Sequence, residues 1–263
     1  MTEIVLNEKE WAKKAIDSLS LGKDPYTTIV RVAKYYKSDG YKKSEVRRKV
    51  EDFMIRCQPR LSLTQWDEAI TSAVLAAERY PPLELAGIMV TEPEIRAIEQ
   101  LQGVIQQKLM FTLVCLARYG NAARSNNGNW VNTEQRDIFA MSNITMTHKR
   151  QCLAINDLWQ AGYIGYSCLV DNTNLNIKII QDGEGALFVD DFRNLGNQYM
   201  RYQGGSFFEC EGCGLVLKMT NPKAHQKYCR DCAAEIKAAQ DTDRHYVDRI
   251  NRQFLKASQA NGA

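Results

Sequence analysis

Only three histidines occur in the 263-residue chain, at 148, 225 and 245, and they lie too far apart in sequence to read as an acid–base array. Neither His-Glu-x-x-His nor Gly-x-Ser-x-Gly is present. Nor is there a glycine-rich phosphate loop, since Gly22-Lys23-Asp24 lacks both the upstream glycine and the Ser/Thr of a nucleotide site. Asp171, Asp190 and Asp191, with Glu184 and Lys178, could be assembled into a nuclease-like set, but Asp190-Asp191 after a glycine-containing turn reads more simply as a solvated loop. The expectation is therefore a protein that is not an enzyme. No run of 18 apolar residues exists, and the first residues (MTEIVLNEKEW) carry acids where a secretory signal has a basic head. A cytoplasmic protein without a membrane partner is expected.

Charge of one sign is also missing. Thirty-four Lys/Arg against 31 Asp/Glu leave a net +3, which excludes a polybasic tail and makes the distribution more informative than the total. Residues 1–80 hold 15 bases against 12 acids, 81–181 hold 8 against 8, and 182–263 hold 11 against 11. Any nucleic-acid contact must then come from local patches, such as the acid-free windows 100–133 and 138–156.

What the chain does have is cysteine, eight in all. Cys57, Cys115, Cys152 and Cys168 are isolated in apolar, periodic segments and read as buried free thiols of a reducing compartment. Cys210-x-x-Cys213 and Cys229-x-x-Cys232 form two knuckles separated by 15 residues, the spacing of a four-thiolate zinc site. Gly212 and Gly214 allow the backbone to fold tightly there and turn N–H groups toward the sulfurs. Four thiolates leave no open coordination position, so the expected zinc is structural rather than catalytic. His225 in place of one cysteine, giving a site of three cysteines and one histidine, and a redox dithiol are the competing readings. Lys218, Lys223, Lys227 and Arg230 either form a second phosphate-binding surface or merely offset the thiolate charge.

The periodicity predicts four helices over 1–82: near Glu8–Ser18, after the Asp24-Pro25 cap, after Ser44, and from about Ser62 to Arg79 before Pro81-Pro82. Thr91-x-x-Glu94 is a capping box for a further helix interrupted at Gly103. A long helix over 104–124, a short extended step at Trp130-Val131, a helix capped by Asn132 and another from Thr145 to Ala161 follow. Gly162 closes the last. Two strands, Tyr163–Val170 and Leu175–Ile180, make a hairpin. Long helix, strand, helix, helix, hairpin is the order of a winged helix-turn-helix. The fold class expected is mainly α with a small β component: a helical domain (1–82), a winged-helix-like domain (88–181), a connector (182–204), a four-cysteine zinc ribbon (205–235), and a C-terminal helix and tail (236–263).

In such a fold the second helix of the turn enters the major groove with its N-terminal residues at base edges. Thr147, His148, Lys149, Arg150 and Gln151 occupy that end, and Asn172 and Asn174 the wing. Arg or Lys can donate to guanine, Gln can pair with adenine, and Thr and His can reach phosphate. The expected partner is double-stranded DNA; the ordinary alternative is a solvated basic pair on a protein-interaction module.

Five blocks carry a resemblance: Asn129-Trp130-Val131-Asn132; Lys149-Arg150-Gln151 with Asn156-Asp157-Leu158; Ala161-Gly162-Tyr163-Ile164; Asp191 through Tyr199; and Lys227-Tyr228-Cys229. Through them the stretch from Ile88 to about Cys232 resembles an uncharacterised family of phages and integrative elements of Gram-positive bacteria. The Arg31-x-x-x-Tyr35-Tyr36 and Trp66 helices are similar to small helical modules attached to primases. The resemblance implies a mobile-element protein in a bacterial host cytoplasm, for which regulation of transcription and DNA replication fit equally. An adaptor gripping a host or phage protein, as a monomer or homo-oligomer, is the second reading.

Overall fold

The computed structural model describes residues 4–124, 126–167, 174–219, 226–242 and 244, and it is mainly helical with a small sheet component. Four helices form the N-terminal unit: α1 (Glu8–Asp17), α2 (Pro25–Ser38), α3 (Lys43–Cys57) and α4 (Leu63–Arg79). The Asp24 carboxylate accepts from the Thr27 amide at 3.2 Å, while Pro25 fills the first turn, where its missing N–H has no intrahelical use. Ile29, Val32 and Ala33 of α2, Val46, Val50 and Phe53 of α3, and Ile70, Ala73 and Val74 of α4 recur at helical spacing and are buried together.

The central unit begins with β1 (Ile88–Thr91) and α5 (Glu92–Glu99). The Thr91/Glu94 capping box forms, with the Thr91 amide donating to Glu94 Oε2 at 2.8 Å. Glu94 is fully buried, and its other oxygen accepts from Arg118 Nε at 2.9 Å on α6 (Val104–Ala123). Arg118 also donates to the Gln181 carbonyl at 2.6 Å. A buried carboxylate persists only when it is satisfied in this way, so the pair ties α5, α6 and the chain after the wing together.

The chain continues through β2 (Trp130–Val131), α7 (Gln135–Met141), α8 (His148–Gln160), β3 (Ile164–Tyr166) and β4 (Leu175–Ile177). The antiparallel sheet order is β2-β4-β3, which is the winged helix-turn-helix connection. Gly162, at φ +80°, ends α8 in a Schellman arrangement: its amide donates to the Trp159 carbonyl at 2.9 Å and that of Tyr163 to the Leu158 carbonyl at 3.0 Å. Three expectations need correction. α7 starts at Gln135 behind Glu134 rather than at an Asn132 cap. β3 ends at Tyr166 and β4 at Ile177, each short of the expected strand, and 168–173 lie outside the described residues. The expected connector 182–204 instead contains β5 (Gly185–Val189) and α9 (Leu195–Tyr202).

β5 pairs antiparallel with β1, Ile88 facing Val189 and Val90 facing Leu187. Val189, Phe192, Leu195 and Tyr199 join the same core as α6. That segment reads as a connector in sequence because its apolar residues come in short bursts, and β5 gains a partner only from β1, far upstream in the chain. The last unit pairs β6 (Phe207–Glu209) with β7 (Val216–Lys218) and has a helix over residues 230–242. Among the described residues no helix is long and apolar enough to cross a membrane.

Candidate metal centre and nucleic-acid interface

The ligand atoms of Cys210, Cys213, Cys229 and Cys232 all lie within 4.8 Å of one another, so the four can hold a metal ion. Chain geometry explains the convergence. The β6–β7 turn brings the first knuckle round, with the Gly214 amide donating to the Cys210 carbonyl at 2.8 Å and that of Cys210 to the Leu215 carbonyl at 3.0 Å. Gly214 sits at φ +72°, a conformation that a side chain strains. At Gly212 a Cβ would lie 3.0 Å from Cys232 Sγ and 3.2 Å from its Cβ, so a side chain there would crowd the second knuckle. The Cys229 amide donates to Cys210 Sγ at 3.1 Å and the Cys232 amide to Cys229 Sγ at 3.3 Å.

Those donors divide the cysteines electrostatically. The backbone N–H of Cys229, helped by those of Cys213 and Gly212, pulls the Cys210 thiol down to about 6. Cys232, hemmed in by the sulfurs of Cys229, Cys213 and Cys210, is pushed far up. Four thiolates this close repel one another, and a cation at their centre removes the conflict. The described residues support the all-cysteine set; His225 and Lys223 lie outside them.

The first knuckle and α9 are fastened by side chains that sequence reasoning does not pick out. Arg193 grips Asp191 through Nε at 3.0 and 2.9 Å and Nη2 at 2.7 Å, and donates to the Cys213 carbonyl at 2.5 Å. Asp191 is thus an anchor rather than a free solvated loop residue. Asn197, buried, donates to the Val216 carbonyl at 3.0 Å and accepts from Asn143 at 2.7 Å. At Gly196 a Cβ would fall 1.9 Å from the Ser142 carbonyl, so α9 lies directly against the end of α7. Asp191, Arg193, Gly196 and Asn197 therefore brace the cysteine knuckles on the central unit. The signal is present in the sequence as Asp-x-Arg followed by Asn-x-x-Asn, but only the fold reveals what each residue reaches.

At the start of α8, Thr147, His148, Lys149 and Arg150 are all exposed. Thr147 is the N-cap without a side-chain capping bond, which leaves the first-turn amides facing outward. Lys149 and Arg150 make no ion pair with any described residue. His148 lies against Cys152, whose Sγ is 3.8 Å from its ring nitrogens. Of the isolated thiols expected to be buried, Cys115 is buried but Cys152 is exposed. Gln151 differs from the expectation of a free base reader: it is half-buried, accepts from Gln135 at 3.3 Å and donates to the Met146 carbonyl at 3.3 Å. Asn174 is half-buried, and Asn172 lies outside the described residues. Of the supplementary bases near the knuckles, Lys227 is paired with Glu211 at 3.2 Å, while Lys218 and Arg230 are exposed. Comparison with protein-family models, curated proteins and solved structures gave no match.

Proposed function

We propose that the chain is a double-stranded-DNA-binding protein of a mobile element, whose winged helix reads the duplex and whose four cysteines hold a structural zinc. One observation carries the first half: a helix placed second in a helix-turn-helix opens with four exposed side chains, two of them unpaired cations, and unspent backbone N–H groups. That combination suits phosphate and guanine edges. Thr147, His148, Lys149 and Arg150 are the contacts; Gln151 positions the α7–α8 turn and Asn174 supports the wing.

Zinc is supported by the sulfur geometry. A tetrahedron with Zn–S bonds of about 2.3 Å has edges of about 3.8 Å, and Cys213 Sγ and Cys229 Sγ are 3.8 Å apart. When bound, the ion supplies a closed four-thiolate cross-link. The chain's own residues do the rest: the amides of Cys229 and Cys232 stabilise thiolate charge, and Arg193 and Asn197 hold the ribbon on the winged helix.

The test is titration of the zinc-replete chain with random and genomic duplex DNA, alongside Lys149→Ala/Arg150→Ala. Salt-sensitive binding that the variant loses supports the reading, whereas a folded, zinc-loaded chain that ignores duplex DNA sinks it. An adaptor is the second reading, favoured by the exposed apolar residues Val104, Ile105 and Leu153 that border Arg150.

A further inference from the structure

The winged-helix sheet has a second face that the duplex reading does not use. Val131, Ile164, Leu175 and Ile177 point into the core, so the alternate positions Trp130, Gly165, Asn176 and Lys178 face the other way. Trp130 is opposite Asn176, which is opposite Gly165. Lys178 lies flat over Gly165: a Cβ there would be 3.0 Å from its Cε and 3.5 Å from its Nζ. Asn176 donates to the Gly128 carbonyl at 2.7 Å, which fixes its amide and leaves its oxygen as an acceptor. The result is a flat surface of one indole, one oriented carboxamide and one cation.

Trp130, Asn176 and Lys178 line a cleft of about 1450 Å³ together with the segment that leaves α4. There Tyr80, 61% exposed, is followed by Pro81-Pro82. Two fixed φ angles present the ring at little entropic cost. The cleft is too large for an ordinary small-molecule pocket of roughly 300–1,000 Å³. Its acids are already engaged, Glu8 with Lys34 at 2.9 Å and Glu84 with Lys9 at 2.8 Å. Arg124 and Lys178 are exposed and have no carboxylate partner among the described residues.

We infer that this cleft binds an unpaired segment of a nucleic-acid strand, with bases against Trp130 and Tyr80 and phosphates at Arg124 and Lys178. A duplex shows base edges and buries base faces in its own stack, so two aromatic residues lining one cleft with the cations Arg124 and Lys178 suit a splayed strand instead. The inference shares with the proposed function only the class of ligand. A protein with both surfaces holds a duplex on α8 and an opened strand on the outer face of the sheet.

The test uses the full, zinc-replete chain and a short fluorescent oligodeoxythymidine, read by anisotropy, with an unrelated duplex in parallel. Tyr80→Ala/Trp130→Ala should weaken single-strand binding about tenfold or more, as loss of stacked rings does, while duplex binding changes little. Trp130→Phe, which keeps a ring and spares the half-buried site, should retain single-strand binding. Lys149→Ala/Arg150→Ala should show the reverse pattern. If the folded chain ignores the single strand, or the double-ring variant binds it undiminished, the inference is overturned even where duplex binding stands. Single-strand binding without duplex binding upholds the cleft and overturns the α8 reading.

Discussion

The central unit and the cysteine ribbon are stabilised by different physics. In the former, α6 alone buries an unbroken run from Leu109 to Ala117, and Phe139, Leu158 and Tyr199 close over it. In the ribbon, buried apolar side chains among the described residues come down to Phe208 and Val216, with Cys210 and Cys229 buried beside them. Hydrophobic burial scales with area removed from water, so the first region can fold on its own packing and the second cannot. The ribbon instead gathers four cysteine sulfurs that can share a common cation. Its position is specified by the polar brace Asp191–Arg193–Asn197.

The comparison breaks most visibly on metal removal. Binding at a structural four-thiolate site is worth on the order of 10 kcal/mol, so a strong chelator should unfold the ribbon. Hydrogen exchange should show protection lost around 207–219 and 226–232 while α6 stays protected. Exchange spreading at once through α6 would mean that the two regions share one stability.

Within the central unit, Arg118→Ala leaves the Glu94 carboxylate buried without its cation and should cost about 3–5 kcal/mol in a denaturant titration. The bound metal content should not change. The brace is next: Asn197→Ala removes the donor to the buried Val216 carbonyl and the acceptor for Asn143 and should cost about 1–3 kcal/mol. Because it joins the two regions, it should also raise exchange in the ribbon with metal still bound. Gly162→Ala, at φ +80° in open space, should cost about 1 kcal/mol by thermal melting and nothing in metal affinity. These effects rank the central ion pair above the brace and the brace above local backbone strain.

The two regions also differ in how far they can be read from sequence. Helices with a periodic apolar face and a side-chain cap or capping box, such as α2 and α5, are legible because each carries its own signal. So is the thiolate set, because two Cys-x-x-Cys knuckles at this spacing have few other uses. The β1–β5 pair is not legible, since each strand is only a few residues long and acquires meaning from its distant partner. α9 escapes for a related reason: Gly196 and Asn197 read as loop residues until the Ser142 and Val216 carbonyls they approach are in view. At α8, sequence identifies the exposed basic residues, but the two hydrogen bonds that occupy Gln151 depend on how α7 packs.

The basic turn of α8 belongs to neither stabilising scheme, since exposed Lys149 and Arg150 contribute little to folding and their removal should leave stability within about 0.5 kcal/mol. Their role is therefore best measured by the salt dependence of duplex binding, as the slope of log K against log salt for the native chain and for Lys149→Ala/Arg150→Ala. Two lost phosphate contacts predict a slope shallower by about 1.8 together with weaker binding. Equal slopes and equal affinities would contradict a DNA-reading α8.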